Sequence, residues 1–385
     1  MNTISVFQTT PRIVVGPGSA GRISDEVKRL GGGKVVIVTD PGIVKSGICA
    51  GVEEQASEAG LVVSRFDNVE PDPSYETASK AAAAIREAGA DFIVGIGGGS
   101  SLDIAKVASV LVTNEDPVTS YFGIDMLPRR GLPLILVPTT AGTGSEVTPI
   151  AILSDHQEKL KKGIVSPYLF PSVAVLDPLL TVGLPPAVTA ATGVDALIHA
   201  VEAYTSKNAT SMTDLIALEA VGMIFQNIRT AFADGSNVPA RSTMLEGSLL
   251  AGMAFANAGV TAVHAFAYPI GAEFHIPHGV ANSIMLAPVM EFNILGNLPK
   301  FARLAEALGE NTCGLTERQA ALSAVEALRI LAADLRIPRS LAEFGVKDSD
   351  VPGLASGVMK VTRLLANNPR EMTVADAEEI YRRVL

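Results

Sequence analysis

The sequence predicts an α/β N-terminal domain built on a mostly parallel sheet, followed by an all-α C-terminal domain. Short, continuous apolar runs alternate with helical periodicity through the first half of the chain, the pattern of buried parallel strands and their crossover helices. Strand signals stop after Val173-Ala174-Val175-Leu176-Asp177-Pro178, and the chain from Pro185 onward reads as helix. At 385 residues and 48% hydrophobic content, the chain is long enough for two cores. We place the domains at residues 1–183 and 184–385, with the boundary near Thr181 to Pro186 and no internal repeat or low-complexity linker.

Taken in order, Arg12 to Gly18 reads as a short strand and turn, and Ile23 to Leu30 as a helix. Gly33 to Asp40 is an apolar run ending in an acid, which is how a buried strand looks. Further strands are expected at Leu61 to Phe66, Phe92 to Ile96 and Leu134 to Val137, with a helix over Tyr75 to Ala88. In the second half, helices are expected at Asp195 to Ser206, Thr213 to Phe232, Ala240 to Phe255 and Glu317 to Leu335. A last helix opens at Thr373, with Asp376 placed to complete a capping box.

Ligands of parallel sheets bind at the carboxyl ends of the strands, and two such ends are rich in glycine and hydroxyls. The first is Gly95-Ile96-Gly97-Gly98-Gly99-Ser100-Ser101-Leu102-Asp103, where glycines admit a close ligand and a helix start points free N–H groups at an anion such as a pyrophosphate. It departs from the G-x-G-x-x-G fingerprint, because the last glycine would be Ser100, and no Gly-Lys-Ser/Thr marks a P-loop. A tight structural turn is the alternative. The second end, Pro138-Thr139-Thr140-Ala141-Gly142-Thr143-Gly144-Ser145-Glu146-Val147-Thr148, either lines a cofactor groove or is a polar connecting loop. Asp40 either accepts from an adenosine ribose, which favours NAD over NADP, or caps a helix ahead of Pro41.

Four of the five histidines, His199, His264, His275 and His278, lie between Gly193 and Gly279. Asp195 and His199 are four apart in a helical run and share one face. His264 precedes a Pro269/Gly271 interruption, and His275 and His278 follow it. Apolar neighbours make unpaired polar groups costly there, so a shared divalent cation would satisfy a carboxylate and several imidazoles together. Separate, locally satisfied side chains are the alternative.

The net charge of −10 and the lack of a basic cluster disfavour nucleic acid as a partner. No uninterrupted apolar run reaches a transmembrane length, and Met1-Asn2-Thr3-Ile4-Ser5 lacks the regions of a signal peptide, so a cytoplasmic protein with no membrane partner is expected. Cys49 and Cys313 are isolated and support neither a disulfide framework nor a zinc ribbon.

Gly97-Gly98-Gly99-Ser100 with Asp103, Pro138 to Val147, Asp195-Ala196 with His199, and Pro277-His278-Gly279-Val280-Ala281-Asn282 together resemble the iron-dependent (group III) alcohol dehydrogenases, of dehydroquinate synthase-like fold with a Rossmann-like sheet. The similarity runs from Gly16 to Arg370. It implies that Asp195, His199, His264 and His278 ligate a divalent ion, typically Fe2+, with Zn2+ or another divalent ion as an alternative. It also implies that Gly97, Gly98, Gly99 and Ser100 hold the cofactor pyrophosphate, Asp40 the ribose, and Thr139, Thr140, Thr143 and Lys162 the rest of an NAD, with Asp103 also among the cofactor-binding residues. The implied activity is reversible hydride transfer between NAD(H) and a small or medium alcohol or aldehyde, in a homodimer or larger homo-oligomer. Tyr268 stands where many relatives carry a proton-relay histidine, so Tyr268 or His275 is expected to take that part, and Phe255 to line the substrate side. Glycerol-dehydrogenase-like, dehydroquinate-synthase-like and metal-free maleylacetate-type enzymes fit these motifs less well, as does a catalytically silent nucleotide-binding or assembly protein.

Overall fold

The computed structural model describes residues 4–155 and 160–385, so part of the chain start read above lies outside the described residues. Two compact units are present: Thr9–Leu184, and Pro185–Leu385 together with residues 4–8. Residues 4–8 are tied to the helical unit through Gln8, whose N–H donates to Asn257 Oδ1 at 2.8 Å and whose carbonyl accepts from Asn257 Nδ2 at 2.9 Å.

The first unit contains β1 (Ile13–Val15), α1 (Ile23–Arg29), β2 (Lys34–Val38), α2 (Pro41–Lys45), α3 (Ile48–Glu58), β3 (Val62–Phe66), α4 (Tyr75–Glu87), β4 (Phe92–Gly97) and α5 (Gly99–Thr113). It continues with β5 (Gly123–Ile124), β6 (Leu134–Pro138), β7 (Ile150–Asp155), β8 (Leu160–Val165) and β9 (Val173–Leu176). Six strands form one wholly parallel sheet in the order β1-β9-β6-β4-β2-β3. Alternation along each strand sends successive residues to opposite faces. Val36, Val38, Leu134 and Leu136 therefore pack with α4 and α5, whereas Val35, Ile37, Ile135 and Val137 pack with α1 and α3. Gly95 is where α5 meets the sheet most closely, since a Cβ there would lie 2.7 Å from both Ala105 Cβ and Leu136 Cδ2.

A second, three-stranded sheet, β5-β8-β7, was not anticipated from the sequence. Its β7 alternates burial residue by residue, but β8 is Leu-Lys-Lys-Gly-Ile-Val, with its first two residues exposed. The continuous apolar run that marks the main strands is missing from it.

The helical unit contains α6 (Pro186–Thr205), α7 (Ser211–Ala233), α8 (Val238–Ala258), α9 (Ala262–Phe274), α10 (His278–Asn293), α11 (Leu298–Ala307), α12 (Glu317–Asp334), α13 (Val351–Lys360), α14 (Thr362–Asn367) and α15 (Val374–Arg382). Helix α6 is central and packs on α7, α8 and α10. Its Gly193 allows this approach, because a Cβ would lie 2.7 Å from Ile228 Cδ1 and 2.8 Å from Met244 Cε. Helix α7 is long and apolar enough to cross a membrane by length and composition. Its buried residues Ala217, Ala220, Val221, Ile224, Phe225 and Ile228 follow the three-and-four spacing of a helix packed on a core.

The interruption expected at Pro269 is corrected by the structure. Pro269 sits inside α9, and the helix ends at His275, a C-cap residue in the left-handed region with φ 55° and ψ 28°. Pro277 then precedes α10, which begins at His278. The last helix carries the expected capping box between Thr373 and Asp376.

Candidate metal centre and nucleotide-binding turn

From Gly193 to Thr205 every residue of α6 is buried, so the polar residues of this stretch must find partners inside the unit. Asp195, His199 and Glu202 recur at i, i+4 and i+7, so they share one face. His264 comes from the first turn of α9, and His278 opens α10. One ligand atom each from Asp195, His199 and His264 lies within 4.8 Å of the others, and all three residues are buried. His264 Nε2 and His199 Nε2 are 3.1 Å apart, and His264 Nε2 is 3.9 Å from Asp195 Oδ1. His278 stands at the rim, with its side chain 35% exposed and its Nε2 4.0 Å from Asp195 Oδ1.

The surroundings favour positive charge at this point. Burial pushes the Asp195 carboxyl up, but His199, His278, His264 and a hydrogen bond from Asn282 outweigh it and hold the group below the ordinary carboxylate range. Burial likewise opposes a charged His264, yet Glu202 and Asp195 hold its pKa above the usual imidazole value. A carboxylate oxygen converging with imidazole nitrogens is a donor set for a borderline divalent cation. His199 and His264 bring two ring nitrogens to 3.1 Å, near enough for both lone pairs to be offered to one ion.

Three residues complete the centre, of which Glu202 and Asn282 were not expected at the site. Glu202 Oε2 lies 2.5 Å from His264 Nδ1. Asn282 donates from Nδ2 to Asp195 Oδ1 at 2.8 Å, and the same nitrogen lies 3.1 Å from His278 Nε2. Phe255 stacks on the His199 ring, with centroids 4.4 Å apart and planes 25° from parallel. Phe255, expected on the substrate side, packs against a ring of the centre. Glu202 was legible in principle, since the spacing that joins Asp195 to His199 continues to it. Asn282 stands one helical turn after His278 by the same logic.

The two expected relay residues separate. Tyr268 lies with its ring 6.1 Å from that of His278, and burial pushes its phenol up. His275 is exposed at the end of α9 and makes no ring contact with the other histidines among the described residues.

In the sheet unit, β4 runs into α5 through Gly97 and the N-cap residue Gly98, which supplies no side-chain cap. Gly97 has φ 148°, and a Cβ on it would lie 2.7 Å from Ser101 Cβ and 3.1 Å from Asp40 Oδ2. A Cβ on Gly99 would lie 2.7 Å from Thr143 Cγ2. Thr139 closes the strand end through its N–H to Gly97 O at 3.0 Å, and its buried Oγ1 has no hydrogen-bond partner among the described residues. Ser100, Thr140 and Thr143 are half-buried around the same turn.

Asp40 does cap α2, accepting from the N–H groups of Gly42 and Ile43 through Oδ1. Its Oδ2 accepts from Ser101 Oγ at 2.9 Å, which leaves that oxygen one further lone pair. Asp103 is engaged within the unit: it accepts from Ser145 Oγ at 2.6 Å and from the Ile152 N–H at 2.9 Å, latching α5 to the threonine-rich loop and β7. Lys162, on β8, pairs with Asp155 at 2.9 Å and lies 5.5 Å from the centroid of the Phe122 ring. The fully buried Lys106 and Glu146 sit behind this loop. Lys106 donates to Thr148 Oγ1 and Ile150 O, while both Glu146 carboxyl oxygens lack hydrogen-bond partners among the described residues.

A parallel sheet with a glycine turn and a helical unit with a buried Asp/His centre define an oxidoreductase class, and comparison with known proteins places the chain within it. Residues 10–178 match the model of the iron-containing alcohol dehydrogenases, and residues 189–385 that of the C-terminal part of the Fe-containing alcohol dehydrogenase family. The chain is 44% identical over 370 residues to long-chain-alcohol dehydrogenase 1 of Geobacillus thermodenitrificans, covering 95% of this chain and 93% of that protein. A crystal structure of 1,3-propanediol oxidoreductase superposes with a TM-score of 0.97 at 40% identity, covering 100% of both chains. Sulfoacetaldehyde reductase from Bifidobacterium kashiwanohense, solved in complex with NAD+, matches with a TM-score of 0.90 at 30% identity, covering 100% of this chain and 99% of that one. The chain belongs to the iron-containing alcohol dehydrogenase family. It is an oxidoreductase of the NAD-dependent alcohol dehydrogenase type.

Proposed function

We propose that this chain interconverts small to medium alcohols and their aldehydes with NAD(H), using a divalent ion held by Asp195, His199, His264 and His278. The observation that carries the proposal is the convergence of Asp195, His199 and His264 ligand atoms within 4.8 Å, all three residues buried. When bound, the ion, Fe2+ before Zn2+, supplies Lewis acidity toward the substrate oxygen, and the nicotinamide exchanges the hydride.

The chain's residues divide the remaining work. Asp195 supplies negative charge, and Phe255 holds the His199 ring in place. Tyr268, beside His278, moves the hydroxyl proton in this reading, and His275 does not. Gly97, Gly98, Gly99 and Ser100 bind the pyrophosphate with backbone N–H groups at the start of α5. Asp40 accepts from the ribose through its remaining lone pair and repels a 2′-phosphate, which favours NAD over NADP. Thr139, Thr140, Thr143 and Lys162 contact the rest of the dinucleotide, the buried unpartnered Thr139 Oγ1 being the strongest candidate among them. Asp103 acts by holding the loop that carries these threonines. Cytoplasmic residence without nucleic-acid or membrane partners accords with the net charge of −10 and the core packing of α7. Homo-oligomeric assembly is part of the same proposal, and light scattering tests it.

Incubation of a C4-deuterated NADH with an aldehyde tests the reaction. The expected product is the alcohol with deuterium on its carbinol carbon; deuterium lost to water instead would contradict direct hydride transfer.

A further inference from the structure

Resting on the reading of Asp195, His199 and His264 as metal ligands, we infer that Glu202 is a positioning residue that fixes His264 in its metal-ligating tautomer. Glu202 is fully buried on α6, three residues after His199. Its two oxygens face different groups. Oε2 lies 2.5 Å from His264 Nδ1, while Oε1 accepts from Thr261 Oγ1 at 2.6 Å and from the Val263 N–H at 2.7 Å.

An ionised carboxylate can only accept, so the hydrogen on the first of these contacts belongs to the imidazole. His264 is thereby held as Nδ1–H, and its Nε2 presents a bare lone pair toward His199 and Asp195. The same carboxylate secures the helix that carries the ring. Thr261 is the N-cap of α9 and makes no side-chain cap, so Glu202 reaches from α6 to hold the Val263 N–H, one of those that the start of α9 leaves unsatisfied. One side chain thus fixes the ring's rotation, its tautomer and the backbone beneath it. Asp195 and Glu202 also place two carboxylates in an apolar interior, a charge that one divalent cation balances.

A purely structural helix-capping role is the competing explanation, and Glu202→Gln separates the two. The amide oxygen can keep the bonds from Thr261 and Val263, which turns the NH2 group toward His264 Nδ1. That nitrogen must then accept, and the ring proton moves to Nε2, where it blocks the ligand lone pair. The probe is Co2+ titrated into metal-stripped full-length protein, with NAD binding measured on the same samples and the His264 tautomer read from ring nitrogen chemical shifts. The expected result is a loss in Co2+ affinity of about ten- to a hundredfold with NAD affinity unchanged and the tautomer reversed.

Unaltered Co2+ affinity in Glu202→Gln, with His264→Ala abolishing Co2+ binding, would overturn the role of Glu202 while leaving the ligand assignment standing. Co2+ affinity that survives His264→Ala would instead remove the ligand assignment itself. Should Glu202→Gln fold poorly, Thr261→Val strips one bond from Glu202 alone; a smaller loss of Co2+ affinity in the same direction is expected, and an unchanged affinity counts against the inference.

Discussion

Tyr268 and His275 lie in the same helix and its cap, yet their backbones and surroundings separate their roles. His275 adopts φ 55°, a conformation that asparagine tolerates as well as histidine. His275→Asn is expected to stay within about 0.5 kcal/mol of the parent in chemical denaturation and to keep its pH–rate profile. Tyr268→Phe removes one hydroxyl from a side chain packed near His278 and is expected to lower kcat by about a hundredfold, with a changed pH dependence. A Tyr268→Phe enzyme with the parent's kcat and profile would remove Tyr268 from the relay. At this scale the sequence was informative wherever a residue type was scarce. Four clustered histidines and an acid at helical spacing stood out, whereas Glu202 and Asn282 did not, because glutamate and asparagine are common and only their burial marks them.

The strand-to-helix turn and the threonine loop behind it form one packed element. Gly97→Ala would place a Cβ 2.7 Å from Ser101 Cβ and disturb the Ser101–Asp40 bond, so a stability loss of about 1–3 kcal/mol and weaker NAD binding are expected in thermal melts and cofactor titrations. Behind the loop, burial raises the Glu146 carboxyl from its ordinary 4.5 to about 7, and burial lowers Lys106 from 10.5 to about 8. Since the folded pKa of Glu146 exceeds the unfolded one, the native state holds a proton that the unfolded chain has released between pH 4.5 and about 7. Stability therefore falls as pH rises through that window, by up to about 3 kcal/mol from this group. Denaturant midpoints of Glu146→Gln should fall less than those of the parent over the same range, and parallel profiles would contradict the expectation. The main strands were legible because each is continuously apolar. The β7–β8 pair and the passage of α9 through Pro269 were not: β8 opens with exposed Leu160 and Lys161, and a proline's local preference gives way to tertiary packing.

Across the whole molecule, chemistry is divided between a sheet unit that carries the glycine turn and a helical unit that carries the Asp/His centre. A cation that binds only the folded helical unit should stabilise it by mass action, by about 2.7 kcal/mol at a hundredfold excess over its dissociation constant. Chelation should accordingly lower the thermal midpoint, and Asp195→Asn should abolish the difference between metal-loaded and stripped protein. The fold class followed from strand and helix periodicity alone, while the identity of the ion and of the alcohol depends on side chains converging from separate helices. The most direct measurement is anaerobic purification with metal analysis, followed by NADH oxidation against a panel of aldehydes before and after addition of Fe2+. Activity that requires a divalent ion at about one per chain, and that His264→Ala loses together with the ion, is the predicted result. Full activity in metal-stripped protein, unchanged by His264→Ala, would contradict it.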